Sequence, residues 1–161
     1  MILLSNNNSV KQKSKQSQSS TKKHPMKDIT PYLTFNGTCR QAMTFYKDIL
    51  GGDLELMDFA SSPMDVPDEA KNHIMHAILT NNGVTVMASD TMPDQTVTNG
   101  NSVSLSINCQ SVEEINHLFN SLSDGGQITM PLDDTFWGAR FGMLTDKFGT
   151  CWMFNYDYPQ A

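Results

Sequence analysis

No apolar run in this sequence approaches the roughly 20 residues that a membrane-spanning helix needs. Met1 to Leu4 is too short for the apolar stretch of a secretory signal. Cysteine is scarce. Cys39, Cys109 and Cys151 make an odd number without C-x-x-C spacing. A disulfide framework and a cysteine zinc motif are excluded, and the reading is reduced thiols in a cytoplasmic protein. Arginine is scarcer, with Arg40 and Arg140 alone. Positive charge is also badly distributed for a nucleic-acid binder. Six lysines, from Lys11 to Lys27, precede the first acid, Asp28, which leaves five basic against 17 acidic residues and a net charge of −12 in the rest. A body so acidic repels phosphate backbones, so nucleic acid is not an expected partner, and without a spanning run neither is a membrane.

Residues 1–27 are mostly Ser, Asn, Gln and Lys, with almost nothing to bury. They read as a disordered leader or tag, with Met26 as a candidate start. Residues 28–161 are then one domain, long enough to enclose a core.

What is present is an internal repeat. Leu33-Thr34-Phe35-Asn36 matches Leu105-Ser106-Ile107-Asn108. Each strand leads to a capping-box pattern, Thr38 with Gln41 and Ser111 with Glu114. An amphipathic helix follows each, and each helix ends in Gly-Gly, at Gly51-Gly52 and Gly125-Gly126. His76–Thr80 matches Phe141–Thr145, and Val84–Met87 matches Thr150–Met153. Asn82-Gly83 between two of these runs is a hairpin signal. The body therefore reads β-α-β-β-β twice, in modules of about 29–90 and 102–157, with strands near 31–36, 53–59, 73–80, 84–89, 102–108, 127–132, 138–145 and 150–157. Two long connections, 61–72 and 91–101, read as functional lids or simply as mobile segments.

This doubled unit resembles the vicinal-oxygen-chelate fold of the glyoxalase/bleomycin-resistance/dioxygenase superfamily. Ile29–Gly37, Ala42–Lys47, Phe136–Met143 and Asp146–Met153 resemble its PhnB-like branch. The resemblance implies an α+β domain in which two βαβββ modules form a cupped mixed sheet with helices on the outer face. It also implies a small-molecule ligand in the cup and a homodimer whose sheets complete each cup. A demethylubiquinone methyltransferase label attached to some relatives finds no glycine-rich strand-to-helix turn here.

The resemblance also implies three metal-ligand positions, which fall on Pro31, His76 and Met153. Proline offers no side-chain donor, and a thioether is too soft for the hard divalent ions of such enzymes. The expectation is no metal and no cofactor. Strand alternation then assigns the cup. If His76 faces it, so do Ile74 and Ile78, and Met153 takes Cys151 and Asn155 with it while Trp152, Phe154 and Tyr156 pack on the helices. Repeat symmetry adds Met87 and Thr85. The lining is methionine and isoleucine, in a chain with 11 methionines. For Arg140, beside Trp137, two readings stand: a bidentate anchor for an anionic ligand, or an ion pair with Asp133, Asp134 or Asp146. Cys151 has no base beside it and reads as a structural thiol. Ligand binding or sequestration without a metal is thus the leading expectation. A metal-dependent lyase, isomerase or dioxygenase with a degenerate site, or an assembly protein, are the alternatives.

Overall fold

The computed structural model describes residues 28–159, so the expected leader lies outside the described residues. Its elements run β1 (Tyr32–Phe35), α1 (Cys39–Leu50), β2 (Asp53–Asp58), β3 (Ile74–Asn81), β4 (Val84–Asp90), β5 (Leu105–Asn108), α2 (Val112–Ser123), β6 (Gln127–Asp134), β7 (Ala139–Thr145) and β8 (Cys151–Asp157). This is β-α-β-β-β twice. The strands form two four-stranded mixed sheets, ordered β1-β4-β3-β2 and β5-β8-β7-β6. β1–β4 and β5–β8 are parallel and the other pairs antiparallel. The α+β class and the paired modules are as the sequence reads. The expected single cupped sheet is, however, two sheets that share no ladder.

Local chemistry explains the elements. Asn82 and Gly83 both have positive φ, 48° and 84°, which makes the two-residue type I′ turn that suits twisted strands. α1 buries Cys39, Ala42, Met43 and Tyr46, and α2 buries Ile115, Leu118, Phe119 and Leu122. These faces meet Ala77, Leu79, Val86 and Ala88 of the first sheet and Leu144, Trp152 and Phe154 of the second in one core. Among the described residues no helix is long and apolar enough to cross a membrane.

The two helix starts differ. Ser111 Oγ accepts from Glu114 N at 3.1 Å, and Glu114 Oε2 accepts from Gln110 N at 2.6 Å, close to the expected capping box. Thr38 makes no side-chain cap. Asp90, from the end of β4, does the work instead: its Oδ1 accepts from Cys39 N at 2.8 Å and its Oδ2 from Ile74 N at 2.8 Å. A carboxylate brought in by the fold also complements the helix dipole better than a hydroxyl.

Edge strands account for the boundary differences. β5 begins at Leu105, not near 102, because its only partner is β8 and their register starts at Leu105↔Trp152. β6 runs on to Asp134 but shifts register twice, once across Thr129 and once across the Pro131 region. An edge strand tolerates a proline and its bulge because one ladder is missing anyway.

Candidate functional site

Alternation along β3 and β4 fixes which side chains leave the core. Ala77 and Leu79 are buried against the helices, so His76 and Ile78 occupy the opposite face. Val86, Ala88 and Asp90 are buried, so Thr85, Met87 and Ser89 share that opposite face. Ile78 pairs with Met87 and with Glu55, His76 pairs with Met57, and Met87 pairs with Tyr32. His76, Ile78 and Met87 are thus brought together, with Tyr32 and Met57 joining them.

Ile74 does not join. It is fully buried in the core with Ala77 and Leu79. The register jumps from Met57↔His76 to Asp58↔Ile74, so Met75 is an extra residue in β3. This bulge reverses the alternation: Met75 packs on Phe59, Val66 and Ala70 beneath the 61–72 loop, and Ile74 turns to the helices. That loop, a candidate lid by its length, carries a small apolar cluster of its own.

In the second sheet, Trp152 and Phe154 are buried and Tyr156 packs beside them, which leaves Cys151, Met153 and Asn155 on the other face. Met153 sits between Ser106 and Met143. Arg140 lies on the helix side, on the same face of β7 as buried Gly142 and Leu144. Its Nε donates to Asn116 Oδ1 of α2 at 3.1 Å and its NH1 to Asp134 Oδ1 at 2.8 Å. Asp134, bonded by Tyr158 and by Arg140, has its carboxyl held below the usual range. Arg140 is therefore an ion-pair partner of Asp134 and not a pocket anchor. Phe141, the next residue of β7, points the other way, and Trp137 stands edge-on to Phe141 at 6.3 Å and to Phe136 at 4.9 Å. Trp137 is 55% and Phe136 97% exposed at the tip of the β6–β7 hairpin.

Tyr32 is the side chain that the sequence reading passed over. Its ring stacks on His76, centroids 5.9 Å apart and planes at 24°, and its hydroxyl lies 3.4 Å from His76 Nδ1. Tyr32 also lines a cavity of about 370 Å³. The other walls include Thr34 of β1, the 97–100 segment, Val103, Leu105 and Cys151. The cavity thus opens where β1 faces the second module. The only available signal for Tyr32 was its place one residue after the proline that occupies a ligand position.

The metal-ligand positions do not fit a hard divalent cation. The Pro31 carbonyl already accepts from Met87 N at 3.0 Å. His76 has a phenol as its neighbour, and Met153 has Ser106 and Met143. Among the described residues no three His, Cys, Asp or Glu side chains converge to hold an ion. One imidazole and a thioether in different sheets are not a donor set for such an ion.

The paired modules and their element order define the glyoxalase/bleomycin-resistance class of fold. A glyoxalase/bleomycin resistance protein/dioxygenase from Nocardioides shares that fold at 19% identity, over 85% of this chain and 88% of its own, with a TM-score of 0.51. The family model described as 3-demethylubiquinone-9 3-methyltransferase matches residues 27–154, and the chain belongs to this PhnB-like family. Protein YjdN of Escherichia coli (strain K12) is 35% identical over 138 residues, 79% of this chain and 93% of that protein. Among solved structures, protein PA1353 from Pseudomonas aeruginosa is 45% identical over 80% of this chain and 96% of its own, with a TM-score of 0.74. A PhnB protein from Bacillus cereus is 31% identical over 80% and 98%, with a TM-score of 0.65. The family's description names a methyl transfer. No glycine-rich turn joins a parallel strand to a helix among the described residues, so the nucleotide cradle of a doubly wound sheet is not part of this architecture.

Proposed function

We propose that the protein binds a small molecule without a metal, in the space where β1 faces the second module. The carrying observation is Tyr32, which both lines the 370 Å³ cavity and stacks on His76. Tyr32 acts as the polar handle, and His76, stacked on it from outside the cavity lining, orients its ring. Leu33, Phe35, Val103 and Leu105 supply apolar walls, while Met57, Ile78 and Met87 lie on the sheet face that Tyr32 shares. A few polar groups among apolar walls are what orient a ligand in a pocket of this size.

Native mass spectrometry of the purified chain, with elemental analysis, tests this reading. A co-purified organic molecule is expected, without stoichiometric zinc, nickel, manganese or iron. Tyr32→Phe and His76→Ala should each release it. One metal per chain, lost on His76→Ala, overturns the reading in favour of a metal-dependent lyase, isomerase or dioxygenase.

A homodimer is the second element of the proposal. Ile128, Met130, Phe136 and Trp137, all between 46% and 97% exposed, lie along the edge hairpin β6–β7. An exposed apolar edge of this kind is what a second copy covers. Light scattering at micromolar concentration should give twice the chain mass, and a monomer there counts against it.

A further inference from the structure

The cavity has one wall whose chemistry is backbone. β1 has a partner on one side only, β4. Pro31 O accepts from Met87 N and Phe35 O accepts from Thr91 N. Main-chain groups alternate sides along a strand, so Leu33 also faces β4, and the N–H and C=O of Tyr32 and Thr34 point away from it. No main-chain hydrogen bond joins β1 to β5 among the described residues. These four groups therefore border the cavity that Tyr32 and Thr34 line. Among the described residues no charged side chain lines it, while Thr98, Asn99 and Thr150 add neutral donors and acceptors.

We propose that this cavity takes a short, extended, uncharged amide-bearing molecule, a capped peptide of about three residues or its chemical equivalent, which adds itself to the free edge of β1. The proposal rests on the reading of this cavity as the ligand site and names the ligand's class. Strand addition lets main-chain amides supply affinity whatever the side chains. β1 has four residues, which at ~3.3 Å each offers an edge of roughly 13 Å, the reach of such a peptide. The lack of a charged wall selects against free termini, because an unpaired charge would be desolvated there. With Arg140 engaged by Asp134 on the helix side, no cation among the described residues is aimed at the cavity to reward an anionic ligand.

Titration of the full chain with N-acetyl-Ala-Leu-Ala-amide, followed by calorimetry, tests this. Saturable binding is expected in the millimolar range or tighter. Methylating the leucine nitrogen of the probe, or leaving its termini free and charged, should each weaken binding about tenfold, the scale of one lost hydrogen bond or one unpaired charge. Thr34→Pro removes an N–H that the β1–β4 ladder does not use, and proline is tolerated on such an edge. It should keep the circular dichroism spectrum and lose about tenfold in affinity. Should Thr34→Pro fail to fold, the methylated probe decides alone. Binding indifferent to methylation overturns the strand-edge idea. If the capped peptide does not bind while a co-purified molecule is still lost on Tyr32→Phe, the ligand class falls and the pocket reading stands. If neither is seen, both fall.

Discussion

Asp146 is 4% exposed, and its carboxylate accepts four hydrogen bonds. Oδ2 takes Tyr46 OH at 2.7 Å and Trp152 Nε1 at 2.8 Å, and Oδ1 takes Phe148 N at 2.8 Å and Thr150 N at 3.0 Å. Four acceptor sites are thus filled by four donors, which is what makes a buried carboxylate tolerable. Asp146→Ala leaves several of these donors buried and unpaired, at ~1–3 kcal/mol each. A loss of at least ~3 kcal/mol is expected in urea unfolding, and an unchanged midpoint would show the network to be dispensable. Titratable groups in the core set the alkaline limit. Burial, aided by the Asp90 charge, pushes the Cys39 thiol from 9.0 to about 12. Burial and then Glu114 push Cys109 up to about 11. Burial first, and Asp146 second, raise the Tyr46 phenol. All three fold in the protonated form with raised values. Their contribution is intact below the unfolded values, 9.0 for the thiols and 10.0 for the phenol, and is lost as pH climbs through the folded ones. Melting temperature should hold from pH 7 to about 9 and then fall, less steeply in Cys39→Ala. At pH 8 a thiol reagent should label Cys151 alone, and fast labelling of all three cysteines would contradict the packing.

At the scale of elements, the β3–β4 hairpin brackets the first helix. Asp90 caps its start, and Asn81 Nδ2 donates to Leu50 O at 2.7 Å at its end. The chain leaves the helix through Gly52, with φ +91°, where an added Cβ would fall inside van der Waals contact with Thr80 O. Both the positive φ and the close backbone exclude a side chain. Gly52→Ala should therefore cost about 2 kcal/mol or more, while Gly100→Ala, with nothing within 4 Å, should be near neutral by chemical denaturation. Much at this scale was legible in the sequence. Element order, the Asn82-Gly83 turn, the glycine pairs and the core face of each helix follow from local periodicity and turn chemistry, and the repeat read them twice. What escaped was non-local or broke a period. Nothing near Thr38 in the sequence says that Asp90 would cap α1 in its place. The bulge at Met75 reverses the face of Ile74, and period-2 counting cannot see an inserted residue. Arg140 was one position out of phase with the face of β7 that turns away from the helices, where Phe141 stands. Tyr32 was overlooked because a proline occupied the position under scrutiny beside it.

At the scale of the whole molecule, the two modules are fastened by a corner of the second pressed onto the helix of the first. Tyr46 of α1 donates to Asp146, Phe148 stands edge-on to Phe45 at 5.7 Å, and Lys147 Nζ lies 3.9 Å above the Phe45 ring. α1 and α2 also touch, and one apolar cluster draws residues from both modules. Neither module can open without exposing the other's core, so the chain should unfold as a single cooperative unit. Two probes test this. In Trp137→Phe, fluorescence reports Trp152 alone, which is 2% exposed in the second module, while far-ultraviolet circular dichroism reports all elements. Their urea transitions should superimpose. Tyr46→Phe removes one donor across the seam and should lower the common midpoint, by ~1–2 kcal/mol, without splitting it. Two separated transitions would mean that the modules fold independently and that the seam is a weak contact. A ligand gives the complementary test, because the cavity takes walls from both modules. A bound molecule stabilises whatever must be intact to hold it. It should raise both probes' midpoints together, and at a hundredfold excess over Kd by ~2.7 kcal/mol. A ligand that moved the Trp152 transition alone would place its site within the second module and remove β1 from the account.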